Sequence, residues 1–286
     1  SAEDSFAAGQ YLVESLKAND LKHVFIISEG LHVNGSELVR GVRQALPHHV
    51  AATGGLAGDG AAFSKTFILD SDGKPLNKTI SALGFYGDKL NVSYGSMGGW
   101  DSFGVERLVT RSKNNVLYEL DGSPALELYK SFLGEYAKDL PASGLLFPLN
   151  LRSDKTSDPV VRTILSVDEE SQSLTFAGDI PEGSYVRLMK ANFDRLIEGA
   201  INAAKGTLLS QSGKQASLAV LLSCVGRKVV LKQLIEEEVE GVRDVLGEQT
   251  TLCGFYSYGE ISPFSADAKC ELHNQTMTIT TFSESD

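Results

Sequence analysis

The sequence has few cysteines and no long apolar run. Its three cysteines, Cys224, Cys253 and Cys270, are odd in number and widely spaced, which suits a reducing compartment better than a disulfide-stabilised secreted fold. No apolar run approaches the roughly 18–20 residues that a bilayer-spanning helix needs. The opening residues also lack the basic and apolar parts of a signal peptide. We therefore expect a cytoplasmic protein with no membrane partner.

Basic clusters are also scarce. The formal net charge is −11, and the longest basic groupings are pairs such as Arg227-Lys228, so we exclude nucleic acid as a partner, since phosphate binding needs clustered Lys and Arg. The histidines show no helical pair with metal-ligand spacing. The Gly58-Asp59-Gly60 run lacks the third glycine of a dinucleotide fingerprint. The sequence therefore predicts no metal, no cofactor and no catalytic residue.

The chain does contain one order of elements twice. An apolar strand at 23–28, a helix at 37–46 with Ser36 as its candidate N-cap, and a strand from Val50 that ends in the glycine-rich run 53–60 form a βαβ unit. An apolar strand at 218–223, an amphipathic helix at 229–246 and a strand at 251–255, followed by a glycine-broken turn at 254–260, repeat that order. The repetition indicates either an internal duplication or the chance recurrence of a common unit.

The residues between these two units predict further helices and strands. They include a strand at 63–69, a hairpin at 107–111 and 116–120, a helix at 125–136 opened by Pro124, strands at 144–151 and 160–167, and a long helix at 193–208. The expected fold class is α/β, with two domains built on mixed β-sheets that contain βαβ units. We place the domain boundary after Gly122, which gives domains 1–122 and 123–286.

The closing segment 253–284 concentrates polar and aromatic side chains. On an extended strand Tyr256, Tyr258 and Glu260 share one face, which is either an aromatic wall and carboxylate for a ligand's ammonium group or a packing face with a solvated glutamate. His273 and Asn274 offer donors and acceptors to a polar ligand, or else cap a turn. Both interpretations stay open for each group.

Two further residues have alternative interpretations. Cys224 is either a thiolate assisted by Arg227, with His273 as the base of a hydrolase or transferase, or a buried cysteine at a strand end, as free cysteines often are. Trp100 either covers the mouth of a pocket or anchors a surface loop.

Several runs resemble the FIST family (F-box and intracellular signal transduction proteins). They are GFYSYGEI and CELHNQTMTITTFSE near the end, and TGGLAGDGAAF, LYELDGSPALELY, GDIPEGSYVRLM and LLSCVGR upstream. The resemblance implies a FIST N portion up to about Gly122, lacking a strand-rich segment that family members usually carry before it, and a FIST C domain from Ser123. It also implies a sensory, ligand-binding module for amino acids or related metabolites, with no catalytic residue to transfer.

We therefore expect a small polar ligand, for instance an amino acid, whose ammonium group meets Glu260 and whose carboxylate is held in a fork by Arg227. Open α/β sheets place ligands at strand ends of this kind. A signalling protein would associate in trans. The alternatives are a protein-interaction scaffold without a small ligand, or a Cys224-dependent enzyme. The candidate ligand-binding residues are Tyr256, Tyr258, Glu260, His273, Asn274, Arg227, Cys224, Asp59 and Trp100.

Overall fold

The protein is a mixed α/β protein in two compact units. The structure, a computed structural model, describes residues 4–60, 62–154, 159–209, 215–264 and 269–285. The first unit comprises Ser1–Gly99 and Asp194–Asp286, and the second comprises Trp100–Phe193. Over the described ranges, no helix is long and apolar enough to cross a membrane.

The helices and strands are numbered in chain order. The helices are α1 (Ser5–Leu16), α2 (Gly35–Ala45), α3 (Ala125–Leu133), α4 (Phe193–Leu209), α5 (Val225–Leu231) and α6 (Ile235–Leu246). The strands are β1 (Leu21–Ser28), β2 (Ala51–Ala57), β3 (Ile68–Leu69), β4 (Pro75–Leu76), β5 (Ile80–Tyr86), β6 (Leu90–Met97), β7 (Asp101–Ser102), β8 (Arg107–Lys113), β9 (Val116–Leu120), β10 (Ser123–Pro124), β11 (Leu149–Arg152), β12 (Val160–Arg162), β13 (Ile164–Asp168), β14 (Ser173–Phe176), β15 (Tyr185–Lys190), β16 (Leu218–Cys224), β17 (Thr251–Pro263), β18 (Cys270–His273) and β19 (Met277–Glu284).

The main sheet of the first unit consists of two halves with the same arrangement of strands, a parallel pair flanked on its outer side by an antiparallel strand. The order is β5-β1-β2-β17-β16-β19, continued by β6. β1 pairs parallel with β2 and β16 parallel with β17, while β5 and β19 flank the two pairs antiparallel. The central pair, β2 with β17, is antiparallel. The two βαβ units predicted from the sequence are therefore present, and they lie side by side in one sheet.

The two central strands carry a glycine at corresponding places. A Cβ built on Gly54 of β2 would lie 1.9 Å from the Ile26 carbonyl oxygen of β1. A Cβ built on Gly254 of β17 would lie 1.8 Å from the Leu221 carbonyl oxygen of β16. Both distances are far below van der Waals contact, so each parallel pair needs a glycine where its strands approach closely.

This sheet curls until its two ends approach each other. The hydroxyls of Thr53 in β2 and Thr280 in β19 are 2.7 Å apart, although a flat sheet would hold strands three positions apart roughly 14 Å from one another. His23 in β1 also lies 6.2 Å, ring to ring, from Phe282 in β19, and β1 contacts β6. The curl encloses a polar face, on which His23, Thr53 and Thr278 are fully buried.

The opposite face of the sheet is covered by helices. One apolar cluster joins Val24 and Leu56 of the sheet to Leu38 and Val42 of α2. A second cluster packs Ala200 and Ala203 of α4 and Val242 of α6 against the other half of the sheet, at Ala219 and Ile279. The amphipathic patterns that predicted helices in these regions reflect this burial.

The second unit is a sheet with the strand order β12-β11-β15-β8-β9-β14-β13. In addition, β7 pairs with β15 and β10 pairs with β9. Leu126 and Tyr129 of α3 pack on it in one apolar cluster with Leu117 and Phe176. The boundary predicted after Gly122 falls inside this unit, because β8 and β9 pair with β15 and β14, which follow much later in the chain.

Several element predictions were wrong in detail. The N-cap of α2 is Asn34, whose side-chain oxygen accepts from the Glu37 N–H at 3.0 Å, and not Ser36. The helix predicted at 229–246 begins at Val225 as α5, and breaks at Lys232, which has a φ of +52°. The strand predicted at 144–151 is a 3-10 helix, Ala142–Leu146, followed by β11.

Two further runs were also misassigned. The expected turn at 254–260 is part of the continuous strand β17, because Gly254 and Gly259 are needed for close packing and not for a turn; a Cβ on Gly259 would lie 2.9 Å from Leu272. The strand expected at 63–69 is reduced to β3, because the preceding N–H groups of Ser64 and Lys65 bond to Asp59 instead of to a neighbouring strand.

Candidate functional site

A pocket of about 720 Å³ opens at the carboxyl ends of the parallel strands β1 and β2. Ligands of open α/β sheets bind at such strand ends. Its walls are largely apolar, and they include one acidic and one basic side chain. The lining residues are Ile27, Ala57, Gly58, Asp59, Gly60, Phe67, Ile68, Leu69, Ser81, Lys228, Phe255 and Tyr256.

Asp59 supplies the negative charge of this pocket. Its Oδ2 accepts hydrogen bonds from the N–H of Ser64 (2.9 Å), the hydroxyl of Ser64 (3.0 Å) and the N–H of Lys65 (2.8 Å), and its Oδ1 accepts from the Tyr258 hydroxyl. Partial burial favours a higher pKa, but these four donors outweigh it and hold the pKa of Asp59 well below its usual range. The carboxylate is therefore ionised at neutral pH.

Lys228 supplies the positive charge. Its Nζ lies 4.7 Å from the centroid of the Tyr256 ring, within cation–π distance. The side chain is exposed, and within the described ranges no carboxylate forms an ion pair with it. Lys228 and Tyr256 together form a wall of the pocket with an ammonium group still open to an anionic partner.

Tyr258 holds the loop beside the pocket. Its ring stacks on Phe63, with centroids 4.7 Å apart and an interplanar angle of 8°, and its hydroxyl donates to Asp59 and to the Gly60 carbonyl. Burial, and then the neighbouring Asp59, raise the pKa of Tyr258 to about 12. Only 8% of Tyr258 is exposed, so it supports the pocket from behind and does not line it.

Glu29 holds the far end of the same loop. The Thr66 hydroxyl donates to its carboxylate, which also accepts from the N–H groups of Leu31 (2.9 Å) and His32 (2.8 Å). Burial raises the pKa of Glu29, but the hydrogen bonds from Thr66, His32 and Leu31 together lower it by more than burial raises it. The net shift of the pKa is downward. No pattern in the sequence indicates this role, since a lone Glu after a strand is common.

Tyr258→Phe is expected to loosen this loop. The change keeps the stack on Phe63 and removes both hydrogen bonds of the hydroxyl, one of them to a charged carboxylate, so we expect a loss of about 1–3 kcal/mol in the free energy of unfolding. Amide hydrogen exchange should rise at residues 62–67. Tyr11→Phe is the matched control, because Tyr11 is 72% exposed. Unchanged exchange at 62–67 would show that the hydroxyl does not hold the loop.

Glu260 lies buried in the sheet. It accepts hydrogen bonds from the Ser257 hydroxyl (2.5 Å), the Thr276 hydroxyl (2.9 Å) and the Thr276 N–H (3.2 Å). Its side chain is fully buried. Burial raises the pKa of Glu260 to about 8 even against these three donors. A bulge in the β2–β17 pairing between Ser257 and Gly259 lets Ser257 and Glu260 meet, which strict alternation along the strand does not predict.

Arg227 is also fully enclosed. Its Nε and Nη2 donate to Glu238 Oε2 at 2.8 and 2.5 Å, Nη1 donates to the Gly98 carbonyl and Nη2 to the Leu196 carbonyl, both at 2.6 Å. Ser223 donates its hydroxyl to the other oxygen of Glu238 at 2.8 Å. The expected carboxylate fork by Arg227 therefore has no support in this geometry, because the guanidinium already bonds the protein.

The remaining predicted residues are buried too. His273 Nε2 lies 2.9 Å from the Ser262 carbonyl oxygen, and Asn274 donates to the Tyr258 carbonyl at 3.2 Å. Burial, followed by the nearby Glu260, raises the pKa of the Cys224 thiol, which disfavours the thiolate that nucleophilic catalysis needs. Trp100 is buried and belongs to the second unit.

The structure therefore brings Asp59 and Tyr256 together at the pocket, with Tyr258 behind them. Glu260, Arg227, Cys224, His273 and Asn274 do not line it. Sequence reasoning missed Lys228 as a pocket residue because it placed the helix start at 229. A helix that begins at Val225 turns Lys228 about 100° away from Arg227, and this points one cation inward and the other outward.

The paired βαβ units and the pocket at the ends of β1 and β2 define a mixed α/β protein with a candidate ligand site. The FIST N domain profile matches residues 1–123, and the FIST C domain profile matches residues 125–263. The chain belongs to the FIST family. It is also similar to an uncharacterized protein of Methanocaldococcus jannaschii, with 27% identity over 206 residues that cover 66% of this chain and 38% of that protein.

Proposed function

We propose that this chain is a sensory module that binds a small zwitterionic ligand, an α-amino acid being the simplest, in the pocket at the ends of β1 and β2. The observation that carries the proposal is that Asp59 and Lys228, of opposite charge, line one pocket with apolar walls. In this arrangement Asp59 meets the ligand's ammonium group and Lys228 its carboxylate. The pair replaces Glu260 and Arg227, which are enclosed.

The charges of the pocket support this choice. Among the residues that the structure describes, Asp59 Oδ1 accepts one hydrogen bond, from Tyr258, and a carboxylate oxygen accepts two, which leaves a place for an ammonium donor. Hydrogen bonds to charged groups contribute about 1.5–3 kcal/mol each. Ile27, Phe67 and Phe255 form an apolar wall, which favours an amino acid with an apolar side chain.

The family supports a sensory role for this binding. Tyr256 and the loop that Tyr258 holds adjoin the pocket, so a ligand that contacts them changes the packing at the start of β17. A signalling protein that associates in trans would respond to that change in packing. The Cys224-dependent enzyme gains no support, because a buried thiol of raised pKa is a poor nucleophile.

Thermal denaturation with the twenty common amino acids, each at 10 mM or higher where soluble, tests the proposal. A ligand present at about 100 times its Kd stabilises the folded state by about 2.7 kcal/mol, which raises the Tm of a unit of this size by roughly 5–10 °C. We expect the shift with an apolar amino acid, and we expect it to be lost with its amine and its carboxylic acid analogues, which each lack one charge.

Two variants and a control locate the effect. Asp59→Asn and Lys228→Ala are each expected to abolish the shift, whereas Lys232→Ala, which removes an exposed lysine outside the pocket lining, is expected to keep it. Far-UV circular dichroism checks that each variant folds. If no amino acid raises the Tm of the folded protein, or if Lys228→Ala retains the full shift, the proposal is wrong.

A further inference from the structure

Strand β17 has one free edge along its first residues. Residues 251–257 pair with β16 on one side, and β2 pairs with the other side only from Ser257 onward. Along Thr251–Phe255 no described residue pairs with that second side. Thr251, Cys253 and Gly254 are exposed there. A free edge of this kind offers unpaired N–H and C=O groups to another chain.

The hydrogen bonds between β17 and the neighbouring segment show which N–H and C=O groups of β17 point toward the free edge. The Thr251 N–H bonds the Ser217 carbonyl of the neighbouring segment at 3.0 Å. In a parallel pair, residues alternate between those that bond the neighbouring strand and those that face away from it. Leu252 and Gly254 therefore direct their N–H and C=O groups outward. They are two residues apart, the spacing at which an added strand forms its ladder.

The edge lacks the features that usually block pairing. Natural edge strands carry charges, prolines or bulges that prevent the addition of another strand. The run from Thr251 to Phe255 (TLCGF) contains no charged residue and no proline. Its pairing with β16 is regular, without a shift of register.

A groove of about 250 Å³ runs beside this edge, between β17 and α6. Its floor and walls are Leu221, Ser223, Glu238, Val239, Leu252, Cys253, Gly254, Phe255, Tyr256 and Met277. The groove is lined by both apolar side chains, such as Val239 and Leu252, and the backbone of the edge, so an apolar side chain of an added strand has a place to pack. Strand addition gains affinity from main-chain bonds and specificity from such pockets for alternate side chains.

The rim of the groove is acidic. Val239, which lines it, is 40% exposed. Glu236 and Glu240 lie three residues before and one residue after Val239 on α6, and both are exposed, as is Glu248 in the turn before β17. Two basic side chains also lie nearby: Lys228, beyond Tyr256 at the opposite end of the edge, and Arg243 of α6, whose Nη1 donates to the carbonyls of Gly247 and Thr250. The three exposed glutamates outnumber them. The charge at the groove therefore favours a cationic occupant.

We propose that the free edge of β17 at Thr251–Phe255 docks an extended segment of a partner protein by strand addition, with an apolar side chain in the groove and Lys or Arg beside it. A second copy of this chain fits less well, because it would bring the same acidic rim to the interface and carries a net charge of −11. The proposal does not depend on the amino-acid pocket.

Peptide binding to the full chain tests the proposal. The probe is acetyl-Lys-Thr-Val-Thr-Arg-Thr-amide with a fluorescent label, and its matched partner replaces Lys and Arg by Glu. Fluorescence anisotropy should show at least tenfold weaker binding of the acidic peptide at low salt, since the rim repels it. The amide signals of Leu252 and Gly254 should shift in the NMR spectrum when the basic peptide binds.

Backbone methylation tests the strand geometry without changing the protein. One peptide carries N-methyl groups at its second and fourth residues, and another at its third and fifth. Only alternate N–H groups of an added strand face its neighbour, so one of these peptides should lose binding and the other should keep it. Equal effects of the two methylations, in either direction, would overturn strand addition.

Protein variants complete the test. Glu236→Lys with Glu240→Lys should reverse the preference between the two peptides, whereas Glu237→Lys, about 200° around α6 from Val239, should leave it unchanged. Leu252→Pro removes one outward N–H while keeping the ladder to β16, and should abolish binding. Sedimentation that shows a dimer sensitive to Leu252→Pro, or equal binding of the basic and acidic peptides, would overturn the proposal.

Discussion

Glu238→Ala is expected to lower the free energy of unfolding by about 3–5 kcal/mol, the usual cost of removing one partner from a buried ion pair. Arg227 and Glu238 are both fully buried and lie 2.5 Å apart, Nη2 to Oε2. The alanine variant leaves the guanidinium charged in the interior, where the described part of the chain offers it the Gly98 and Leu196 carbonyls as remaining acceptors. Urea denaturation followed by circular dichroism measures the loss.

Exposed ion pairs give the matched control. Glu135 and Lys138 pair on the surface, where Glu135 is 88% exposed, so Glu135→Ala should cost less than about 1 kcal/mol. The double variant Arg227→Met with Glu238→Leu should recover part of the stability that Glu238→Ala loses, since it removes the unpaired charge. A loss below 1 kcal/mol in Glu238→Ala would contradict a structural role for the pair.

This pair shows why the sequence misled us about Arg227. A Gly-Arg run after a buried strand is compatible both with an exposed anion-binding cation and with a buried tie. The difference lies in Glu238, eleven residues later, and in two carbonyls, those of Gly98 and Leu196, from distant segments. Local pattern carries no information on those contacts, so the inward position of Arg227 was not predictable.

The repeated βαβ order was predictable for a physical reason. β1 and β16 are buried on both faces, and such strands are continuous apolar runs that stand out in a sequence. The antiparallel pairing of β2 with β17 was not predictable from the sequence, because it joins segments about two hundred residues apart. The glycines near 254–260 were read as turn residues, although close strand packing produces the same composition.

The candidate site was predicted in part. Asp59 and Tyr256 were among the expected ligand residues, and they line one pocket; their role as ligand contacts remains a prediction. Glu260 was expected to meet a ligand, yet the bulge after Ser257 turns it into the buried side of the sheet. One inserted residue in a ladder reverses the face of every later side chain, and the sequence does not mark where this occurs.

Stability is expected to fall as the pH rises from 6.5 to 8, because Glu260 holds a proton when folded that it releases when unfolded. Its pKa is raised from 4.5 to about 8, so between these values the folded state binds more protons than the unfolded state, and the free energy of unfolding decreases with pH. Each pH unit in this range costs up to about 1.4 kcal/mol. Glu260→Gln should flatten the profile.

The choice of window follows from His23, which acts in the opposite direction. Burial lowers the pKa of His23 from 6.5 to about 3, so the unfolded state binds the extra proton between those values and stability rises with pH there. At pH 6.5 half of the unfolded His23 is still protonated, so up to pH 8 this contribution adds a further rise of about 0.4 kcal/mol that is the same in every variant, and the difference from Glu260→Gln isolates Glu260. Urea midpoints at pH 6.5, 7.2 and 8 should fall for the wild type and for the exposed control Glu236→Gln, and stay level or rise slightly for Glu260→Gln. Equal slopes in all three proteins would mean that Glu260 is ionised in the fold, with Ser257 and Thr276 as donors to a carboxylate.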